Sequence, residues 1–397
     1  MRLCLASLHP RVLSGQIDSL TGLGRALSRR GNAVRLVTPF DTGDLLSRAL
    51  TDLDTGPHTL AGASKAMFGA IPRVLQASHD ADVLHLALPT PAFGWVGDVV
   101  RSVSRIPVVV TFEGHLANAS QLVEALHRPR SLKSRLPLWL VNNGLFGRLS
   151  VHCCQRYVVS SEYQRQELIA LGVPGDRIAV ITNVVENSKL QSSDPRWARN
   201  SLGLPPDRPT IGYVGHFNDV KGVDLLAEAF VSLVGEHGRD VELALAWSGQ
   251  GDVEPIRRRL APYSSHVTWL GKVHVGSFLS AIDVLALPYR STAGQGAFPS
   301  LVLEALHAGR PLVTTALPLL EEIAMNEQVA LLAPPERPDL LADQLDRLLS
   351  SEDLRRDMSR KQIRMAHQRF APDRVAPHYE ALYSALVEDW QDTAHAA

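Results

Sequence analysis

One lysine in the sequence stands where an ammonium group could neutralise a bound anion. Residues 210–223, TIGYVGHFNDVKGV, predict a buried strand, a glycine-containing turn and the start of a helix. Gly215 and His216 fall in the turn, and Lys221 follows where the helix begins. Such a turn points backbone N–H groups and the positive end of a helix at an anion, so Lys221 could meet a diphosphate and His216 could add a donor. An ordinary turn with a solvated lysine is the alternative.

A glycine-rich segment leads into a second helix that could bind phosphate. Residues 293–313 read AGQGAFPSLVLEALHAGRPLV, and the amides of Phe298, Ser300 and Leu301 would lie at the helix N-terminus. Glu304 falls about one turn into this helix. Its carboxylate can accept two hydroxyl hydrogen bonds, which suits a ribose diol. The alternative is a solvated glutamate that the helix dipole favours.

Two loops in the first half of the chain follow predicted strands. Glu113 and His115 come after the run VVVTF, at the carboxyl end of a strand, where ligands of open parallel sheets bind. They could touch a sugar or an acceptor hydroxyl. Gly15 lies in the first loop, where a glycine lets the backbone approach a ligand closely. The alternatives are a satisfied loop histidine and a turn-forming glycine.

Elements that could position these residues recur along the whole chain. Short apolar runs alternate with amphipathic stretches, which predicts an α/β fold with parallel strands joined by helices. Strands are predicted at residues 2–8, 34–38, 83–88, 107–111, 157–160, 178–182, 210–214, 241–246, 267–270, 284–287 and 311–315. Helices are predicted at residues 19–30, 96–104, 162–171, 222–235 and 301–308, and three further helices finish the chain.

A length of 397 residues and a break in this pattern predict two domains. Residues 186–208 are rich in turn residues, and the strand–helix alternation restarts after them. The expected domains are residues 1–190 and 208–371, with a final helix at residues 372–392 that packs back on the first domain.

Composition excludes several classes of protein. A net charge of −1 gives no global basic field that would attract nucleic acid. The three cysteines, Cys4, Cys153 and Cys154, match neither a disulfide framework nor the spacing of a zinc site, and a reducing cytoplasm is expected. No run reaches the roughly 18 apolar residues of a membrane span, and the first eight residues are too short for a signal peptide.

Taken in order, these segments resemble the family-four retaining glycosyltransferases of the GT-B fold. That fold has two Rossmann-like doubly wound domains facing each other across a cleft. The segments that carry the resemblance are residues 27–38, 82–85, 106–111, 157–162, 170–183, 213–222, 248–251, 267–271, 298–311 and 370–383. The resemblance implies metal-independent transfer of a hexosyl-type sugar from a nucleotide-diphosphate sugar to an acceptor, with no other cofactor.

The resemblance also implies roles for individual residues. Lys221 would neutralise the leaving diphosphate, and Glu113 and His115 would lie near the reacting groups. The donor-binding residues it implies are Gly15, Gly215, His216, Lys221, Gly249, Val273, Gln295, Gly296, Ala297, Phe298, Pro299, Ser300, Leu301 and Glu304. The backbone near Val273 would face the base.

Three positions depart from the family pattern. Gly296 stands where the family has a glutamate that contacts the sugar, His216 replaces an arginine, and Glu113 replaces a histidine. We therefore expect an atypical donor sugar and a small-molecule acceptor, as in natural product biosynthesis. The alternatives are a non-catalytic nucleotide-sugar binder or scaffold, a phosphorylase or epimerase, and a lipid or glycan transferase that docks on a membrane through residues 127–149.

Two further patterns are interpreted as structural. The pairs Asp52–Asp54 and Asp80–Asp82 match a D-x-D metal motif only by letter. Trp247 and Trp269 lie on predicted strands and are expected in the core rather than as sugar platforms.

Overall fold

The chain divides into two compact units, each with its own parallel sheet. The computed structural model describes residues 1–8, 15–38, 60–88, 93–112, 149–185, 190, 193–291, 298–326 and 328–396. Unit 1 comprises Met1–Glu186, Ala293–Pro299 and Phe370–Ala397. Unit 2 comprises Asn187–Thr292 and Ser300–Arg369.

The sheet described in unit 1 has six parallel strands in the order β2-β1-β3-β4-β5-β6. The strands are β1 (Arg2–Ser7), β2 (Ala33–Val37), β3 (Val83–Leu88), β4 (Val108–Phe112), β5 (Arg156–Val159) and β6 (Ile178–Val180). All six residues of β3 are buried, as expected for a strand of a parallel sheet with both faces covered.

Helices of unit 1 flank this sheet. They are α1 (Gly15–Arg29), α2 (Leu60–Ser78), α3 (Gly94–Ser104) and α4 (Glu162–Ala170). Helix α4 begins after Ser161, whose side chain accepts a hydrogen bond from the Gln164 amide. Helix α2 has no counterpart among the helices predicted from the sequence, and residues 39–59 lie outside the described ranges.

Unit 2 repeats the arrangement with the strand order β12-β11-β10-β7-β8-β9, again parallel throughout the described part. The strands are β7 (Thr210–Phe217), β8 (Glu242–Gly251), β9 (Val267–Leu270), β10 (Val284–Leu287), β11 (Leu312–Thr315) and β12 (Leu331–Ala333). The chain runs from β7 to one edge and from β10 to the other. The strand order therefore reverses between β7 and β10, and ligands of such sheets bind at the carboxyl ends of the strands at this position.

The described helices of unit 2 mostly alternate with its strands, with one helix before β7 and two after β12. The helices are α5 (Pro195–Ser201), α6 (Val223–Gly235), α7 (Glu254–Leu260), α8 (Val275–Ala281), α9 (Ser300–His307), α10 (Pro318–Ala324), α11 (Pro338–Ser350) and α12 (Glu352–Met365). Helix α6 has apolar residues around most of its circumference, and it is covered partly by α11. A π-helical turn, Ala366–Phe370, follows α12.

The C-terminal helix, α13 (Pro372–Ala396), belongs to unit 1 and packs on α1 and the sheet. Tyr383 is fully buried, and its hydroxyl lies 2.7 Å from Nδ1 of His85 on β3. At the surface, Arg30 pairs with Glu380 at 2.7 Å. These long-range contacts join the last helix to the strands that begin the chain.

The structure contains every strand that the sequence predicts, and most strand ends lie within two residues of their predicted positions. The exceptions are the carboxyl ends of β7 and β8 in unit 2, which extend to Phe217 and Gly251, and these two residues are paired with each other. The prediction that only three helices follow β11 is wrong, because α10 and β12 precede α11, α12 and α13. Strand β12 has three residues, too few for a clear apolar alternation. Helix α5 also interrupts the predicted connection at residues 186–208.

Candidate functional site

The strongest candidate site lies in unit 2, where the order of the strands reverses. Strands β7 and β10 are direct neighbours, with Val284 opposite Ile211. The segment after β7 carries Lys221, and the segment after β10 carries Tyr289 and Arg290. The carboxyl ends of both strands lie at the same edge of the sheet, so two segments far apart in sequence meet there.

A short turn carries Lys221 into this position. The backbone N–H of Lys221 donates to Oδ1 of Asn218 at 3.2 Å, and Asp219–Lys221 form one turn of 3₁₀ helix. Gly222 follows with φ of 65°, and helix α6 starts one residue later. Lys221 therefore ends a separate turn that directly precedes α6, close to the helix start that the sequence predicts at residue 222.

The Lys221 ammonium lies over an aromatic ring. Its Nζ is 4.6 Å from the centroid of Tyr289, whose side chain is 3% exposed. Burial lowers the pKa of Lys221 to about 8, because a buried ammonium loses hydration. A half-buried cation beside an aromatic face is poorly solvated, and an anionic ligand would restore favourable interactions to it.

Glu304 on α9 lies close enough to Tyr289 to act on it electrostatically. Burial raises the pKa of the Tyr289 phenol, and the nearby Glu304 carboxylate raises it further. Helix α9 begins at Ser300, and both Ser300 and Leu301 are half-buried. Tyr289 is thus near both Lys221 and Glu304, two of the residues that the sequence predicts for the site.

His216 differs from its predicted placement. It lies within β7 instead of the turn, because β7 extends to Phe217. Its Nδ1 hydrogen-bonds with the hydroxyl of Ser248 on β8, and its carbonyl oxygen accepts from the Tyr213 hydroxyl at 2.7 Å. The imidazole is therefore held at the edge of the sheet beside the turn.

Close packing at the end of β8 requires glycine at residue 251. A Cβ at Gly251 would lie 2.0 Å from the carbonyl oxygen of Phe217, and its φ is 89°. Gly249, which the family resemblance singles out, has the same φ of 89° but nothing within 4 Å of such a Cβ. Val273, also singled out, is half-buried after β9 and precedes His274, which caps α8.

The two tryptophans are half-buried, so their prediction as core residues is wrong. The Trp247 indole N–H donates to the carbonyl oxygen of Gln250 at 2.8 Å. Trp269 lies between the ring of Phe217, at 6.2 Å, and the guanidinium of Arg257, at 5.2 Å. Both residues lie toward the carboxyl ends of β8 and β9 and keep part of their surface exposed.

The Phe298 side chain serves packing within unit 1. It is 1% exposed, and its ring meets that of Phe370 edge-on at 6.0 Å. Its carbonyl oxygen accepts from Nδ2 of Asn183 at 3.3 Å. Pro299 is buried too. These two residues anchor the chain just before α9, so any ligand contact from them would involve the backbone.

Several predicted site residues lie outside the described ranges. These are Glu113, His115, Gln295, Gly296 and Ala297, and the basic stretch 127–149 is outside them except for its last residue. Gly15 is described as the first residue of α1.

Sequence reasoning missed Tyr289, described above, and Arg290. Arg290 is 8% exposed, and its guanidinium makes two hydrogen bonds to Asp224, at 2.5 and 2.6 Å, and one to Glu336 at 2.8 Å. The available signal was an arginine two residues beyond the apolar run VLALP, at the carboxyl end of a predicted strand.

The acidic pair that was interpreted as structural is engaged in ion pairs. Asp80 binds Arg35 and Asp82 binds Arg2, the latter at 2.8 Å. Asp52 and Asp54 lie outside the described residues. Across the described ranges, no three His, Cys, Asp or Glu side chains group as metal ligands, and no helix has the length and apolar character to cross a membrane.

Comparison with known proteins matches both halves of the chain. The family described as Glycosyltransferase Family 4 matches residues 14–189, and the family described as Glycosyl transferases group 1 matches residues 208–351. A phosphatidyl-myo-inositol mannosyltransferase of Mycobacterium leprae is 27% identical over 84% of this chain and 83% of its own. D-inositol 3-phosphate glycosyltransferase 2 of Catenulispora acidiphila is 25% identical over 60% of this chain and 58% of its own, less than two thirds of either.

A solved structure supports the same fold. The Anabaena protein HepE, crystallised in complex with UDP, superposes with a TM-score of 0.71, covering 97% of this chain and 100% of that protein at 14% identity. Because the two family matches together span most of both α/β units, the chain belongs to the family-four glycosyltransferases of the GT-B fold.

Proposed function

We propose that the protein transfers a sugar from a nucleotide-diphosphate donor to an acceptor hydroxyl and keeps the anomeric configuration. The observation that carries the proposal is the Lys221 ammonium, held 4.6 Å from the Tyr289 ring where the strand order of unit 2 reverses. A cation with reduced hydration at that position suits the diphosphate of a nucleotide sugar.

The proposed chemistry depends on charge stabilisation at the leaving group. As the bond from the anomeric carbon to the β-phosphate oxygen breaks, that oxygen gains negative charge, which Lys221 neutralises. The amides of Ser300 and Leu301, at the start of α9, would hold further phosphate oxygens. These groups are fixed before the reaction, so little reorganisation is needed when the charge develops.

Retention follows if acceptor and leaving group occupy the same face of the sugar. The departing phosphate oxygen then takes the proton of the acceptor hydroxyl while the acceptor oxygen bonds to the anomeric carbon. No side chain has to remove that proton. We expect no metal ion to be required, because Lys221 and the α9 N-terminus supply the positive charge, and Glu304 is proposed to bind the ribose diol.

Donor sugar recognition is the part of the site that departs from the family pattern. Gly296 replaces the glutamate expected near the sugar ring, so we propose a donor with an atypical sugar, such as a deoxy, amino or extended one. A panel of nucleotide sugars tests this directly. A strong preference for ordinary glucose or mannose would count against it.

The acceptor is proposed to be a small molecule of natural product type, bound by N-terminal residues that include Glu113 and His115, in a cytoplasmic enzyme. A lipid or glycan acceptor is the second candidate, and the name of the mycobacterial relative, a phosphatidyl-myo-inositol mannosyltransferase, favours it. The basic stretch 127–149 would then dock on anionic lipid. Pelleting with anionic and neutral liposomes separates the two candidates.

Binding and turnover test the proposed function in two stages. Calorimetry with UDP, GDP and ADP should find micromolar or tighter binding of at least one by the wild-type protein and strong weakening in Lys221→Met. Acceptor-dependent release of nucleoside diphosphate then identifies a transferase. Binding without release for any acceptor would indicate the alternative, a non-catalytic nucleotide-sugar binder, which the replacement at Gly296 favours.

A further inference from the structure

Arg290 forms a buried junction of charges beside the turn that carries Lys221. Its Nη1 and Nη2 bond to the two carboxylate oxygens of Asp224 in the first turn of α6, at 2.5 and 2.6 Å. Its Nε bonds to Glu336 at 2.8 Å, and its Nη1 lies 3.6 Å from Oδ1 of Asp219. Three carboxylates from separate segments thus surround one guanidinium.

The same arginine holds the backbone on which Lys221 is mounted. The Arg290 N–H donates to the carbonyl oxygen of Val220 at 2.9 Å, and Nη1 donates to the carbonyl oxygen of Asp219 at 3.1 Å. Both carbonyl groups belong to the turn that ends at Lys221. Arg290 therefore ties this turn to the end of β10 by main-chain and side-chain bonds together.

Tyr289, the residue before Arg290, contacts the side chain of Lys221. Nζ of Lys221 lies 4.6 Å from the ring of Tyr289, and Tyr289 is fixed by a backbone hydrogen bond to Leu287 at 2.9 Å. Tyr289 thus contacts the ammonium group of Lys221, and Arg290 binds the main chain of the turn that ends at Lys221. A planar fork of donors suits this task better than a flexible ammonium would.

Charge balance gives Arg290 a second effect on Lys221. Asp219 and Asp224 lie close to the turn, and Glu304 faces Tyr289 from α9. With Arg290 present, Asp219, Asp224 and Glu336 are compensated, and burial alone lowers the pKa of Lys221. Without it, the carboxylates would attract the lysine ammonium and repel an incoming diphosphate.

We propose that Arg290 is a positioning residue that orients Lys221 toward the donor diphosphate and keeps neighbouring carboxylates from competing for it. The proposal rests on the donor-binding function stated above. Arg290 itself does not touch the donor. It acts through the 3₁₀ turn and through Asp219 and Asp224.

The test compares Arg290→Met with a matched control at Arg199. Arg199 is half-buried and bonds to Asp283 at 2.6 Å and to the carbonyl oxygens of Pro205 and Arg208, but it lies at the amino end of β7. Loss of this guanidinium costs similar packing and hydrogen bonds at the opposite end of the strand. Asp224→Asn serves as a milder variant that removes one charge without changing volume.

The first readout needs no ligand. The chain has six lysines, so reductive methylation with ¹³C-formaldehyde gives a small set of NMR signals, and loss of one in Lys221→Arg assigns Lys221. Its signal should titrate near pH 8 in the wild-type protein and in Arg199→Met. In Arg290→Met it should titrate near the ordinary lysine value of about 10.4, because water and uncompensated carboxylates favour the charged form. Asp224→Asn should shift it the other way, to lower pH, because the loss of one carboxylate leaves the positive charge of Arg290 less compensated.

The second readout is affinity for whichever of UDP, GDP and ADP the wild-type protein binds most tightly. Arg290→Met should weaken it by about tenfold or more, and Arg199→Met should leave it within about threefold. An Arg290→Met or Asp224→Asn protein with an unchanged Lys221 titration and unchanged affinity overturns the proposal. A wild-type protein that binds none of the diphosphates contradicts the proposed function instead, and the titration still decides whether Arg290 holds Lys221.

Discussion

Gly222 faces the carbonyl oxygen of Pro288 so closely that a Cβ at residue 222 would lie 2.0 Å from it. The contact brings the turn after β7 against the end of β10, which places Lys221 beside Tyr289. Gly222 also has φ of 65°, a conformation that residues with a side chain rarely adopt. Two independent constraints therefore require glycine at this position.

Gly222→Ala should destabilise the protein much more than Gly203→Ala. Gly203 has nearly the same φ, 67°, but nothing lies within 4 Å of a Cβ there. The control should cost about 1 kcal/mol of unfolding free energy for the backbone conformation alone, and Gly222→Ala at least about 2 kcal/mol more. Urea denaturation measures both. Equal losses would show that the Pro288 contact relaxes at little cost.

Lys221→Met should stabilise the ligand-free protein while it abolishes diphosphate binding. Because the pKa of Lys221 is about 8 when folded, below its unfolded value, the folded state holds the charged lysine at a cost throughout the pH range below 8. Removal of the charge should add roughly 1–3 kcal/mol at pH 7, and this gain should shrink as the pH rises from 8 to 10. Thermal unfolding at pH 7 and 9.5 checks it. Lower stability of the variant at pH 7 would contradict the expected cost.

His85 should make folding stability depend on pH below neutrality. Its ring is 2% exposed and bonds to Tyr383 through Nδ1 and to Thr111 through Nε2, both at 2.7 Å. Burial lowers its pKa to about 4. The unfolded chain therefore takes up a proton first, and stability that is complete above about pH 6.5 is lost as the pH falls toward 4, by about 3 kcal/mol.

Comparison with His85→Gln isolates this contribution. The variant should be less stable at pH 7 but should lose less of its stability between pH 6.5 and 4 than the wild-type protein does. Chemical denaturation at several pH values measures the two slopes. Parallel slopes would assign the acid sensitivity to other groups.

His216→Arg should change the pH dependence of turnover if His216 takes the place of the family's arginine. A histidine donates to phosphate best when protonated, so wild-type activity should fall as the pH rises past neutrality. An arginine stays charged, and the variant should keep its activity to higher pH. Initial rates from pH 6 to 9 test this. Ser248→Ala, which removes the partner of Nδ1, is the control for positioning.

Local sequence patterns were enough to predict every described strand except β12, the helices α1, α3, α4, α6 and α9, and several site residues. Buried strands such as Val83–Leu88 and Val284–Leu287 were predicted with their observed bounds, because their apolar runs end sharply at turn residues. Lys221 and Glu304 could be predicted as site residues because each belongs to a strand–turn–helix motif or a loop–helix motif made of consecutive residues.

Only the tertiary structure decided which segments meet. The reversal of strand order places β10 beside β7, and this brings Tyr289 and Arg290 to Lys221 across about 70 residues of sequence. Close packing likewise requires glycine at residue 251 but not at residue 249, although both glycines have the same φ of 89°. Such choices depend on steric and electrostatic contacts between distant segments, which no local pattern of residues specifies.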